Sequence, residues 1–367
     1  MADTYPKIDW DFILETIKAE KCILFVGPEL YRDETGRSLD EQLGDFLEVP
    51  HNPDIQAWYE RDGLFLFTSG AKKTTSYYKI KHFYNQSFPK AETLLEKLAV
   101  IPFHFIISIL PDKKCAEAFE RADVPVNSGF YWKKQAEDQS VKSPSARSPL
   151  VYNLFGSIDR QESMVLTHDD LFEYFESVFQ ENSIPEKLKL NIRNAHNFIF
   201  LGLDFEKWYM QLLLRILHLH NEKDEFMRYA ANQRISDELR TFCFQQFRIE
   251  FVADRPDTFV DELAARCAAA GVVREKREKR GTLIDSLVKL LEKDRLEEVF
   301  TRFSAFLDKV GEAGENLADD LLLLSNRHKR LERKIRQGVL ATADAGVETN
   351  QIRLSLLELL KEAKTLE

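Results

Sequence analysis

A glycine placed between an apolar strand and a helix lets backbone approach a phosphate closely, and the chain has one at Gly27. Cys22 to Val26, C-I-L-F-V, is a continuous apolar run, the pattern of a strand buried on both faces of a parallel sheet. Gly27-Pro28-Glu29-Leu30-Tyr31 follows, and a helix is predicted from about Ser38 to Glu48. At a dinucleotide site the amides of such a turn hold the pyrophosphate. Pro28 removes one of those donors. Glu29 brings a carboxylate to the same place, a repulsion of about 4 kcal/mol at ~4 Å and an effective dielectric near ~20. An ordinary strand-to-helix turn has this pattern too, so the loop alone leaves both readings open.

Other turns share the arrangement. Pro149 to Thr167, P-L-V-Y-N-L-F-G-S-I-D-R-Q-E-S-M-V-L-T, reads as a short strand, a turn at Gly156-Ser157, a polar loop and a second short strand. His196 to Leu203 is an apolar run interrupted at Gly202. Asp204 and Trp208 then open a helix through Leu212, Leu213 and Leu217. Trp208 fits a core position there. Phe103 to Leu110 is a further buried strand, and Asp112 fits the cap of a helix over Lys113 to Arg121.

The elements that must position these turns follow from periodicity. Helices are predicted over Asp9 to Glu20, Lys72 to Gln86, Lys90 to Leu98, from Thr167 through Phe179, Ile235 to Gln246 and Pro256 to Ala270. Weaker strands are predicted at Gly129 to Lys134, Asp224 to Tyr229 and Arg248 to Val252. Alternating strands and helices predict an α/β, Rossmann-like, mostly parallel sheet with helices on both faces.

The order and spacing of these pieces resemble bacterial sirtuin-like defence proteins, a family that processes NAD. In that family the strand of the Pro149–Thr167 segment runs into a His-Gly pair whose His is the catalytic base; here Phe155 stands in its place. The family ends an earlier strand with Thr-x-Asn-Tyr-Asp. The matching residues are Ser108, Ile109, Leu110, Pro111 and Asp112, so the ribose-positioning Asn has become Leu110, which has no donor or acceptor. The first phosphate loop keeps only the first of the family's two glycines.

The resemblance implies NAD or ADP-ribose as the ligand class. It implies Gly27, Ser108, Asp112, Gly156, Ser157, Gly202 and Asp204 as the residues lining the cleft, with Gly202 under the adenosine side. It also implies that turnover is lost, with no catalytic residue and no consumed cofactor: a pseudoenzyme. A competing reading is an NAD hydrolase that uses Asp159, His168 and Asp112 instead. A third is an assembly unit whose Tyr77, Tyr78, Phe83 and Tyr84 anchor homo-oligomers.

Composition narrows the partners. The 367 residues carry a net charge of -10, which argues against a general nucleic-acid or membrane-surface binder. Cys22, Cys115, Cys243 and Cys267 include no C-x-x-C pair, so a zinc ribbon is not expected, and they read as small core residues in a reducing cytosol. The N-terminal residues lack a secretion-signal pattern, and no apolar run approaches the roughly 20 residues that span a bilayer.

After the interleaved charges of Val273 to Arg280 the strand-like runs stop. Helices are predicted over Thr282 to Glu292, Asp294 to Val310, Leu317 to Gln337 and Glu348 to Lys364, an all-α bundle. L-L-S-N-R-H-K-R-L-E-R-K-I-R-Q-G followed by V-E-T-N-Q-I-R-L-S-L-L-E-L-L resembles a bacterial effector-associated domain, a death-domain-like adaptor. That resemblance implies a protein partner carrying a matching domain. The expected layout is a sirtuin-like domain over 1–272, a charged linker over 273–280 and the adaptor bundle over 281–367.

Overall fold

The computed structural model describes residues 8–132, 142–179, 184–219, 226–232, 235–253, 255–274, 280–293, 295–310, 314–337, 339 and 342–363. Within these the strands are β1 (Cys22–Val26), β2 (Ile55–Tyr59), β3 (Leu64–Phe67), β4 (Phe105–Ser108), β5 (Asn127–Phe130), β6 (Leu150–Asn153), β7 (Asn197–Leu201), β8 (Arg228–Ala231) and β9 (Ile249–Ala253). β2 and β3 form a separate antiparallel hairpin. The other seven make one sheet in the order β5-β6-β4-β1-β7-β8-β9, and every pairing in it is parallel.

The alternation of side chains along each strand divides the core in two. Cys22, Leu24 and Val26 of β1 face one cluster with Ile106, Val151, Ile199 and Leu201. Ile23 and Phe25 face the other with Phe105, Ile107, Tyr152, Phe198 and Phe200. The first face is covered by α1 (Trp10–Lys18), α2 (Leu39–Phe46), α3 (Gly70–Tyr84), α4 (Pro89–Val100), α5 (Lys114–Arg121) and later α10 (Pro256–Ala269). The second is covered by α6 (His168–Val178), α7 (Glu186–Asn194), α8 (Trp208–Ile216) and α9 (Asp237–Phe247). This is the Rossmann-like, doubly covered parallel sheet that the continuous apolar runs predict. All four cysteines are free and buried in it.

Several expectations need correction. The second short strand of the Pro149–Thr167 segment does not form. A short 3₁₀ turn at Gln161–Ser163 precedes extended chain that makes one hydrogen bond to β3, from Phe65 N to Leu166 O at 2.8 Å. β5 begins two residues earlier than predicted and ends at Phe130, because register is set by its single neighbour β6 and not by its own apolar content. Tyr131 and Trp132 follow outside the strand; Lys133 and Lys134 and part of the polar loop, through residue 141, lie outside the described residues, as do Asp224, Glu225 and residues 275–279 of the charged run.

α6 begins as its sequence dictates. Thr167 Oγ1 accepts from Asp170 N at 3.1 Å, and the Asp170 carboxylate accepts from Thr167 N at 3.0 Å and Leu166 N at 3.1 Å. Lys73 Nζ of α3 binds the same carboxylate at 2.5 and 2.7 Å. The reciprocal cap fixes where α6 starts. Thr167→Ala is expected to cost about 1 kcal/mol, read as a lower urea midpoint with an unchanged slope.

The chain folds as two compact units, Met1–Glu275 and Lys276–Glu367. The second contains α11 (Arg280–Glu292), α12 (Leu296–Val310), α13 (Glu315–Arg336) and α14 (Thr342–Ala363). Its core is Leu287, Val299, Phe303, Leu307, Leu321, Ile352, Leu356 and Leu360 with their neighbours. No helix among the described residues is long and apolar enough to cross a membrane.

Candidate functional site

Chain order around the sheet reverses at β1, whose neighbours β4 and β7 lead to opposite edges. In open parallel sheets the ligand crevice lies outside the carboxyl ends of the strands at such a reversal. Here that point is occupied by Gly27, at the end of β1, and Gly202, at the end of β7. The two backbones touch: a Cβ on Gly27 would collide with the Gly202 carbonyl. Gly202 has a φ of +66°, and a Cβ there would lie 2.5 Å from Leu30 Cδ1 and 2.9 Å from Leu30 N.

The loop that follows β1 folds as a 3₁₀ turn, Pro28–Tyr31, directly over this contact. Three amides of this loop are committed within the protein. Gly27 N donates to Leu201 O at 2.9 Å, Glu29 N to Gly202 O at 3.0 Å and Leu30 N to Gly27 O at 3.4 Å, and Pro28 has none. Leu30 is buried on Gly202. The anion cradle that the sequence pattern permits is therefore closed by the chain itself.

Charged side chains surround the closed loop, and sequence reasoning missed most of them. Arg32 Nε and Nη2 hold the two Glu29 carboxylate oxygens at 2.5 and 2.6 Å. Burial raises the Glu29 carboxyl above its ordinary range, and Arg32 opposes that rise. Lys207, only 8% exposed, pairs with Asp40 Oδ2 at 2.6 Å. Burial disfavours the Lys207 charge, but Asp40, Tyr209 and Asp204 more than offset this and raise its pKa. Asp204 is raised chiefly by burial, against the pull of Lys207. Arg32, Asp40 and Lys207 are spaced too irregularly in sequence to announce a cluster. Only the meeting of the β1 loop, α2 and the start of α8 assembles them.

Beside this, the end of β4 forms a second buried group. Leu110 N donates to Ser108 Oγ at 3.1 Å, and Asp112 Oδ1 accepts from Lys114 N at 2.9 Å, capping the approach to α5. Tyr31 Oη reaches the same oxygen at 3.4 Å, and Asn153 Nδ2 donates to Asp112 O at 2.7 Å. Asp112 Oδ2 is buried without a partner. Burial pushes its carboxyl up to about 6, with the Lys114 amide and Tyr31 pulling the other way.

Gly156 and Ser157 turn inward on their own loop. Gly156 has a φ of +86°, and a Cβ would strike the Ser163 carbonyl. Ser157 N donates to Ser163 Oγ at 2.9 Å. The space beside them is a cavity of about 20 Å³ between Trp132, Ser163, Met164 and Tyr174, room for about one water, whereas small-molecule sites run to roughly 300 Å³ or more. Tyr174 Oη and Trp132 Nε1 line it unbonded, and the Arg160 guanidinium lies 3.6 Å from the Trp132 ring centroid. A wider depression of about 440 Å³ is open to solvent and lined by α9 alone, from Asp237 to Gln245, so it resembles a groove on one helix more than a site.

The two altered family positions face opposite cores. Leu110 is buried with the first cluster, while Phe155 packs against the second, edge-on to Tyr174 at 5.1 Å and to Tyr209 at 5.9 Å. Asp159 and His168, offered as substitutes, each hold partners of their own, and Ile158 N donates to Pro111 O at 2.9 Å, which brings the Asp159 segment beside that of Asp112. Asp159 is bound by Lys113 and by Lys81 at 3.4 Å, and its carboxyl is lowered by the Lys113 bond. His168 Nε2 lies 3.1 Å from Asp62 Oδ2, with Tyr59 edge-on at 4.7 Å. Trp208 is 42% exposed, contrary to a core position, since α8 turns its leucines inward and leaves Trp208 at the rim beside Phe172.

In the second unit, Arg327, Lys329, Arg330, Arg333, Lys334 and Arg336 are exposed along α13, while His328 is buried against Phe300. Two family models match the chain. A SIR2-like domain covers residues 112–252, including Gly156, Ser157, Gly202 and Asp204 but not the β1 loop, and effector-associated domain 11 covers residues 282–364. No curated protein matches.

Proposed function

We propose, for a chain that joins a SIR2-like domain to an effector-associated domain, the role of a catalytically inactive scaffold or sensor in a bacterial antiphage defence system. Both domains fit a defence protein. The observation that carries the inactive reading is the closed β1 loop. Three of its amides are spent on backbone carbonyls, Pro28 offers none, and Leu30 fills the crevice over Gly202. Phe155 and Leu110 add the loss of an imidazole and a carboxamide, each a side chain with donors and acceptors. Loss of a general base alone typically costs roughly 10²- to 10⁴-fold.

Output then passes through the helical unit. Its exposed basic stripe on α13 suits an acidic face on a partner's matching domain, where charge sets association rate and partner choice more than affinity. The first unit forms homo-oligomers in the cytoplasm and changes state on sensing. NAD or ADP-ribose is at most held, never consumed.

The test is incubation of the full chain with NAD while nicotinamide is followed. Release indistinguishable from a protein-free blank is expected. Release that disappears on mutating Asp112 would establish the runner-up, an active hydrolase, which is favoured by one feature: a buried carboxyl whose pKa of about 6 suits a general base.

A further inference from the structure

The Glu29–Arg32 pair is unusual in its setting. A solvent-exposed ion pair on a protein surface is common and typically contributes little. This one is within the closed crevice. The Glu29 side chain is 8% exposed, Arg32 is 20% exposed, and both guanidinium prongs are engaged. Glu29 Cβ lies where it would sit 3.0 Å from a Cβ on Gly202, so the side chain leaves the backbone at the β1–β7 reversal. The remaining Arg32 nitrogen is anchored on Gly36 O at 2.8 Å, which fixes the fork in place. A planar guanidinium fork accepts a carboxylate or a phosphate in the same two-pronged geometry. The other nearby cation, Lys207, is already taken by Asp40.

We propose that the Glu29 carboxylate is an internal occupant of an oxyanion site, filling on the Arg32 fork the place of a phosphate or diphosphate group. The inference rests on reading the β1–β7 crevice as a former nucleotide cleft, and it adds a specific cause of closure. The loop is held shut by a charge that imitates the missing ligand. Removing that charge frees Arg32, and the freed guanidinium, poorly solvated, recruits an anion from solution.

Full-length Glu29→Ala and the parent are titrated calorimetrically with inorganic pyrophosphate, and in a separate arm with ADP-ribose. The expected result is that Glu29→Ala binds pyrophosphate at least about tenfold tighter than the parent does. Adding Arg32→Ala to Glu29→Ala should return the response to the parent level. Binding of ADP-ribose as well assigns the site to a nucleotide's phosphates, and binding of pyrophosphate alone assigns it to the free anion. Should Glu29→Ala fail to fold by tryptophan fluorescence, Glu29→Gln, which keeps the volume and one hydrogen bond, is carried through the same comparison with a smaller gain expected. Equal affinity in variant and parent, or a gain that survives Arg32→Ala, overturns the proposal. Neither outcome bears on NAD turnover by the parent, so this inference and the inactive reading fail separately.

Discussion

Lys207→Ala is expected to lower the stability of the first unit by about 3 kcal/mol. The ammonium is almost wholly buried and bonded to Asp40 at 2.6 Å. Deleting it leaves Asp40 without its counter-ion beside Asp204, two carboxylates in a site that burial already makes unfavourable for charge. The cost comes mainly from this uncompensated pair, not from the worth of the original bond. Replacing both partners, Asp40→Asn with Lys207→Met, should therefore restore much of the loss. The four tryptophans, Trp10, Trp58, Trp132 and Trp208, all lie in the first unit, so urea melts followed by fluorescence report it alone. If the double variant is as unstable as the sum of the single ones, the buried pair is not the cause.

Asp112→Asn should act in the opposite direction, and only above mildly acidic pH. The Asp112 carboxyl has its pKa raised from 3.8 to about 6, chiefly by burial. The groups around it are the Tyr31 and Tyr84 hydroxyls, the Cys115 thiol, the Lys114 amide and ammonium, and Glu117. A raised acid binds its proton more tightly in the folded state. Its contribution is therefore fully present below about pH 4 and is lost as pH rises through about 6. At pH 7.5 the ionised carboxylate costs about 3 kcal/mol relative to the protonated form. The neutral amide keeps the acceptor for Lys114 N and removes that cost. Asp112→Asn is thus expected to be more stable than the parent at pH 7.5 and equal to it near pH 4. A stability difference that does not change between pH 4 and pH 7.5 would rule out titration of Asp112 as its origin.

Much of the scaffold can be read directly from the residues. C-I-L-F-V, F-I-I-S and N-F-I-F-L have no polar face, so they fit only the middle of a doubly covered sheet, and they are β1, β4 and β7. Thr167 with Asp170 announces the start of α6 by its spacing alone. β2, I-Q-A-W-Y, and α7, E-K-L-K-L-N-I-R-N, escape notice because each buries only a few residues and takes its shape from a neighbour. The site is legible as a set of glycine turns, not as a chemical arrangement. Gly27 and Gly202 meet across the β1–β7 pairing, a contact between residues far apart in sequence. The ion cluster of Arg32, Asp40 and Lys207 is a product of that long-range closure, which local pattern cannot encode.

The place of β1 between β4 and β7 has a consequence for how the protein is made. Its second flank stays bare until residues 197–201 have been synthesised, and parallel pairings over such separations are slow to form. During that interval the ribosome-bound nascent chain presents an apolar, unpaired template of the kind that nucleates clumping. Fragments that stop short of β7 should be recovered as insoluble material, and chaperone demand during synthesis should fall once β7 has left the exit tunnel.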